Sequence, residues 1–106
     1  MFPKVSIIIP FYNDPFVGHA IHSALAQTYP NVEIIVVDDG SSSHVDQLAP
    51  FRNRVYYLDK ANGGTDSALN HGIRMSSGEY IAWLSSDDFF YPHKLSMQIP
   101  YFWIRR

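Results

Sequence analysis

Two stretches decide the fold: VSIIIPFYN at residues 5–13 and VEIIVVDDGS at residues 32–41. Each opens with a nearly unbroken run of Val and Ile and then changes abruptly to Pro, Asn, Asp or Gly. Continuous β-branched runs of this length are typical of strands that are covered on both faces of a parallel sheet. We therefore predict buried strands over Val5–Ile9 and Val32–Val37.

Working outward from these runs, two further apolar stretches predict strands over Val55–Leu58 and Tyr80–Leu84. Helical periodicity separates the four strands. The first helix is predicted to begin at Asp14-Pro15, with Asp as N-cap and Pro at the first helical position. Three more helices are predicted: a short one capped by the hydroxyls of Ser41–Ser43, one from Thr65 that ends at a C-cap Gly78, and one over Pro92–Ile99.

The resulting order, βαβαβαβα, indicates an α/β fold with an open, parallel, Rossmann-like sheet. With 106 residues and no linker or repeat, the chain is expected to form a single domain over residues 1–106. In open sheets of this kind ligands bind beyond the carboxyl ends of the strands. Functional residues are therefore expected directly after each strand.

Composition excludes several classes of function. A net charge of −2 argues against nucleic acid or an anionic membrane surface as a partner, because both are usually held by a basic excess. No apolar stretch approaches the length of a membrane span or of a signal peptide. The expected location is cytoplasmic, or peripheral at the inner face of the membrane. The absence of cysteine excludes disulfides and thiolate metal sites.

Carboxylate pairs follow two of the predicted strands, Asp38-Asp39 and Asp87-Asp88. One reading of Asp-Asp-Gly-Ser is a simple turn, in which Asp and Ser cap the next helix. A second pair at the same sheet edge favours another reading, because crowded carboxylates need compensation. Hard divalent cations are bound by one or two carboxylates together with phosphate oxygens. The sequence thus predicts a site for a metal and a phosphorylated ligand.

Four motifs resemble the family-2 glycosyltransferases of the GT-A fold, in order and at matching spacing: VSIIIPFYN, VEIIVVDDGSS, NGG-x-x-x-ALN-x-GI and SSGEYIAWLSSDD. The resemblance spans about Lys4 to Leu95. It implies the first half of a GT-A fold, and transfer of a sugar from a nucleotide-diphosphate sugar, expected to be a UDP-sugar. It also implies an acceptor in polysaccharide or cell-envelope biosynthesis.

The resemblance also assigns roles to residues. Pro10 and Tyr12 match the motif that lines the base pocket, and Asp39 matches the acidic residue that accepts a hydrogen bond from the base. Asn62 and Gly64 match the loop that approaches the nucleotide. At the end of the family's DXD motif, Asp87 approaches the ribose and Asp88 ligates Mn or Mg on the diphosphate.

Three positions depart from the family pattern: Leu69 replaces a frequent Arg, Ser85 replaces Asp or Asn, and Ser67 replaces an acidic residue. A larger departure is length, because the family places its general base in a second half. We expect this chain to be the N-terminal donor-binding part of a transferase, apparently truncated, with its general base unknown. The alternative is a catalytically incomplete module for nucleotide binding or interaction. The apolar C-terminal edge, from Ile99 to Ile104, predicts a homo-oligomer.

Overall fold

A computed structural model describes residues 2–98 and the backbone of residues 104–105. Its elements in chain order are β1 (Val5–Phe11), α1 (Val17–Leu25), β2 (Val32–Asp38), a 3₁₀ helix (Val45–Phe51), β3 (Tyr56–Asp59), α2 (Thr65–Met75), β4 (Tyr80–Trp83), α3 (Lys94–Gln98) and β5 (Ile104–Arg105). Each predicted strand is present, with ends that differ by one or two residues. The predicted apolar edge lies largely at residues 99–103, outside the described part, so self-association stays a prediction.

The sheet has the strand order β3-β2-β1-β4-β5. The first four strands are mutually parallel, with Ile8 opposite Ile35 of β2 and Trp83 of β4. This confirms the open α/β sheet. A fifth strand that was not predicted, β5, pairs antiparallel with β4 at one edge of this sheet. Because β5 has only two residues, it is too short to produce a hydrophobic periodicity in the sequence.

The core lies on both faces of β1, as the unbroken apolar run predicts. Ile7 and Ile9 pack on the side of α1, whereas Ile8 packs on the side of α2. One face of α1 is buried: Val17, Ala20, Ile21 and Ala24. Fully burying one Ile side chain contributes about 1.5–3 kcal/mol. The central strand is thus held by both layers.

Both predicted N-caps are wrong. Helix α1 begins at Val17 rather than at Pro15. Asp14 Oδ1 accepts the Phe16 N–H (2.8 Å) in a turn that precedes the helix. The 3₁₀ helix begins after His44, whose backbone is left-handed with φ of 64°, and no side chain caps it. Ser41 Oγ instead accepts the N–H of Asn13 (2.9 Å).

The predicted C-cap Gly78 is also wrong. Helix α2 ends three residues earlier, at Met75, and Ser76 follows it in an extended conformation. Gly78 is needed for close approach instead: its N–H donates to Ser6 Oγ at 2.8 Å, and a Cβ at this position would overlap that oxygen. Glycine is therefore required at this position because the backbone lies close to β1, and not because the residue has a left-handed conformation.

A buried carboxylate joins the amino ends of the strands. Glu33 accepts hydrogen bonds from Ser6 Oγ and from the N–H and hydroxyl of Ser77, and Lys4 Nζ lies 3.4 Å from Glu33 Oε1. Burial opposes ionisation of Glu33, but the hydrogen bonds and the Lys4 charge outweigh it and lower its pKa. This network is far from the carboxyl edge and stabilises the fold.

Candidate functional site

A cleft of about 300 Å³ opens at the carboxyl ends of β1 and β4. Strand order reverses between these two strands, because the chain runs outward from β1 to β3 on one side and to β4 on the other. Open α/β sheets bind ligands at such a switch point. Four of the predicted site residues line the cleft: Pro10, Tyr12, Asp39 and Asp87. Three others, Asn62, Gly64 and Asp88, lie beside it and not in its wall.

Pro10 lies inside β1 and not after it. A proline within a central strand normally removes a ladder hydrogen bond. The pairing of β1 with β4 ends at Ile8 and Trp83, however, so Pro10 lies beyond the end of β4. Its ring can therefore face the cleft without leaving a partner on β4 unsatisfied.

Asp38 is buried and has a structural role. Its Oδ2 accepts the Tyr57 hydroxyl at 2.6 Å, and its Oδ1 accepts the Ser41 N–H at 2.8 Å. Burial together with the Asp38 carboxylate raises the pKa of Tyr57 to about 12, so the phenol stays a donor. The turn interpretation of Asp-Asp-Gly-Ser is therefore correct for this first carboxylate.

Asp39, only 3% exposed, fastens the loop that follows β3. Lys60 Nζ and the Gly63 N–H donate to Oδ1 at 2.8 and 3.0 Å, and the Gly64 N–H donates to Oδ2 at 2.9 Å. The Asn62 amide lies farther from Oδ2, at 3.4 Å. Burial disfavours the charged form, but these donors and the Lys60 charge outweigh it and lower the Asp39 pKa.

Glycines let the loops after β2 and β3 touch. Gly40 has φ of +81°, and a Cβ there would lie 2.9 Å from the Asn62 nitrogen. Gly64, with φ of +95°, precedes the first residue of α2, so the helix begins at the cleft, where Thr65 lies in the wall. The positive end of the helix dipole therefore faces a place suited to a negatively charged ligand.

Asp87 and Asp88 are exposed on a turn that Asp88 closes by donating its N–H to Ser85 O (3.1 Å). Asp88 Oδ1 also accepts the Phe89 N–H at 2.8 Å. Among the residues that the structure describes, no three His, Asp or Glu side chains are grouped closely enough to hold a metal ion. Of the two carboxylate pairs, Asp38 and Asp39 are buried with protein hydrogen-bond donors, whereas Asp87 and Asp88 are exposed to solvent.

Asp14 and Trp83 are among the cleft residues that were not predicted as site residues from the sequence. Asp14 was interpreted only as a helix cap. Trp83 was interpreted only as part of an apolar strand, yet it is 49% exposed at the end of that strand. A large aromatic residue as the last residue of a strand, immediately before a polar turn, is the signal that would have marked it.

His93 is remote from the cleft. Its Nδ1 lies 3.1 Å from Thr28 Oγ1, in a network that fastens the start of α3 to the end of α1. A larger cavity, of about 560 Å³, lies at the opposite edge of the sheet near Glu33 and Arg54. The smaller cleft is the candidate site, because among the residues that the structure describes it is where strand ends, the start of α2 and the exposed Asp87 carboxylate lie together.

The fold and this cleft define an α/β domain with a candidate ligand site at its switch point. The model of glycosyl transferase family 2 matches residues 6–102, and the chain belongs to this family. This confirms the resemblance drawn from the four motifs. An uncharacterized glycosyltransferase of Rickettsia typhi is 52% identical over 99 residues, which cover 92% of this chain and 31% of that protein. The chain thus spans about a third of this relative.

Solved structures agree with the fold. The crystal structure of residues 1–349 of S. aureus TarS superposes with a TM-score of 0.77 at 28% identity, covering 88% of this chain and 30% of that one. The same protein in complex with UDP-GlcNAc superposes with a TM-score of 0.74 at 27% identity, covering 90% and 29%. The chain therefore has the GT-A architecture of that neighbour. Within the described residues, no helix is long and apolar enough to cross a membrane.

Proposed function

We propose that this chain binds a nucleotide-diphosphate sugar, expected to be a UDP-sugar, as the donor-binding part of a glycosyltransferase. One observation carries the proposal: Asp39, the start of α2 and Asp87 meet at a single cleft between β1 and β4. Family membership supports it, as does the UDP-GlcNAc complex of the structural neighbour TarS. Transfer to an acceptor in polysaccharide or cell-envelope biosynthesis, at a cytoplasmic or inner-membrane location, is part of the same proposal.

The base is proposed to bind at Asp39. Each carboxylate oxygen has two lone pairs, and those of Oδ1 are taken by Lys60 and Gly63. Oδ2 has one short bond, from Gly64, and the long contact from Asn62. A base N–H would therefore bind Oδ2, taking the position of the Asn62 amide. Pro10, Tyr12 and Trp83 would provide the apolar walls.

The cation is proposed to bind at Asp88, with Asp87 beside it. Two exposed carboxylates without further protein ligands fit Mg²⁺ or Mn²⁺, which take one or two carboxylates and complete their shells with phosphate oxygens and water. When bound, such an ion stabilises the negative charge that develops on the departing diphosphate. The protein's own contribution is to hold these carboxylates exposed while the start of α2 faces the phosphates.

The general base is not assigned to any residue of this chain. It must reach the acceptor hydroxyl, and His93, a polar residue that follows Asp88 in the chain, contacts Thr28 instead. The alternative proposal is a catalytically incomplete module that binds nucleotide or a partner.

Calorimetric titration of UDP, GDP and dTDP, each with and without Mn²⁺, tests the proposal. UDP is expected to bind more tightly with Mn²⁺, and Asp88→Ala is expected to abolish that gain while Asp46→Ala, an exposed carboxylate on the 3₁₀ helix, keeps it. No binding of any nucleotide would refute the proposal. Binding without sugar transfer to any acceptor would favour the incomplete module.

A further inference from the structure

Side-chain hydrogen bonds connect the loops at the carboxyl edge in the spatial order of the strands. Lys60, after β3, contacts Asp39, after β2. Asn13, after β1, is held in a left-handed conformation with φ of 50°, and its Oδ1 accepts the N–H groups of Ser42 and Ser43 at 2.8 and 2.9 Å. Three neighbouring loops are thereby joined into one layer.

The fourth loop, after β4, joins this layer across the switch point. The β1–β4 ladder ends where Leu84 N–H donates to Ile8 O at 3.0 Å. Two residues further on, Ser86 Oγ lies 2.8 Å from Asp14 Oδ2, while Asp14 Oδ1 accepts the Phe16 N–H at 2.8 Å. Both oxygens of this carboxylate are therefore engaged, one in each loop beside the cleft.

We propose that Asp14 is a positioning residue, which holds the turn of Asp87 and Asp88 at the mouth of the cleft through Ser86. This rests on the proposed nucleotide-sugar function. The turn carries two exposed carboxylates, and its own closing bond, from Asp88 to Ser85, does not connect it to β1. Removing a group that orients a metal ligand typically costs about 10–100-fold in metal affinity. The bond from Ser86 to Asp14 supplies that orientation from the neighbouring loop.

A competing role for Asp14 is direct contact with the cation, because it lines the same cleft as Asp87. Asn at position 14 separates the two roles. Its amide oxygen can accept the Phe16 N–H while its NH₂ group donates to Ser86 Oγ, so the link between the loops survives. Asn carries no negative charge, so a direct contact between residue 14 and the cation would be lost.

The test is titration of UDP, with and without Mn²⁺, into the protein and four variants: Ser86→Ala, Asp14→Ala, Asp14→Asn and Ser43→Ala. The measured quantity is the factor by which Mn²⁺ tightens UDP binding. Ser86→Ala and Asp14→Ala are expected to reduce that factor about tenfold, and Asp14→Asn by less than about threefold. Ser43→Ala is the matched control, since Ser43 is exposed and its bond to Asn13 uses only its backbone.

A general loss of structure would weaken UDP binding equally with and without Mn²⁺, which would overturn the positioning role. The positioning role would also be overturned if Mn²⁺ tightened UDP binding by the full factor in Ser86→Ala but by a much smaller factor in Asp14→Asn. That result would favour direct contact between Asp14 and the cation. Hydrogen exchange of the amides at 85–88 supplies a readout that needs no ligand: Ser86→Ala must accelerate it. If the unaltered protein binds no UDP, the proposed function fails, whereas unchanged exchange in Ser86→Ala refutes the link itself.

Discussion

Lys60 Nζ lies 2.8 Å from Asp39 Oδ1, and the two side chains are only 18% and 4% exposed. Removing one partner of a buried charge pair leaves the other uncompensated. Lys60→Met is therefore expected to lower the free energy of unfolding by about 1–3 kcal/mol and to raise the Asp39 pKa. Urea denaturation measures the first effect and NMR titration the second.

Lys4→Met is the control for Lys60→Met, because it removes the lysine of a more exposed ion pair. Lys4 is 38% exposed and lies 3.4 Å from its partner Glu33. Solvent screens this pair, so its loss is expected to cost less than about 1 kcal/mol. If the two variants lost equal free energy of unfolding, burial of Asp39 would not explain the cost of removing Lys60.

Acid stability is expected to depend on Glu33. Its pKa in the folded protein lies below the ordinary value of 4.5, so below that pH the unfolded chain binds more protons than the folded one. The stability that Glu33 adds is therefore complete well above pH 4.5 and is lost as the pH falls through 4.5 toward the lowered folded-state pKa. Glu33→Gln is expected to be less stable at pH 7 and to lose less of its stability on acidification.

Denaturant unfolding at a series of pH values measures this dependence for Glu33→Gln. Asp46→Asn serves as the control, because it makes the same kind of change, from carboxylate to amide, at an exposed position on the 3₁₀ helix. A profile of Glu33→Gln parallel to that of the unaltered protein would show that Glu33 does not cause the acid sensitivity.

Gly72→Ala is expected to destabilise the fold by about 1–3 kcal/mol through overpacking. A Cβ at Gly72 would lie 2.5 Å from Ile8 Cγ2 and 3.0 Å from Val37 Cγ2, on two central strands. Gly18→Ala is the matched change in α1, where the nearest atom would be Gln47 Oε1 at 3.4 Å. There the gain in helix propensity, up to about 1 kcal/mol, is expected to prevail. Thermal unfolding of both variants gives the comparison, and a stable Gly72→Ala would contradict the packing.

Tyr57→Phe is expected to cost about 1–3 kcal/mol, because it leaves Asp38 Oδ2 buried without its phenol donor. The neighbouring Tyr56 is 62% exposed, so Tyr56→Phe is expected to be within about 0.5 kcal/mol of the unaltered protein. Chemical denaturation of the two variants makes the comparison. Indistinguishable stabilities would mean that water replaces the phenol at Asp38.

The strands and the family were readable from the sequence because each depends on local pattern. An unbroken Val/Ile run has no exposed face, so Val5–Ile9 had to be covered on both sides. The helix caps were read incorrectly because distant partners compete for the same side chains. Asp14 bonds the Phe16 N–H and Ser86, and Gly78 is selected by Ser6, which lies 72 residues away.

By itself, the sequence determined the alternation of strands and helices, the sheet edge where the candidate site lies, and membership of the glycosyltransferase family. These follow from periodicity and from motifs contiguous in the chain. Only the tertiary structure separated the two carboxylate pairs. Asp38 and Asp39 are compensated by donors from other loops, whereas Asp87 and Asp88 stay exposed. Whether a carboxylate is compensated depends on the loops packed against it, and adjacency in sequence does not carry that information.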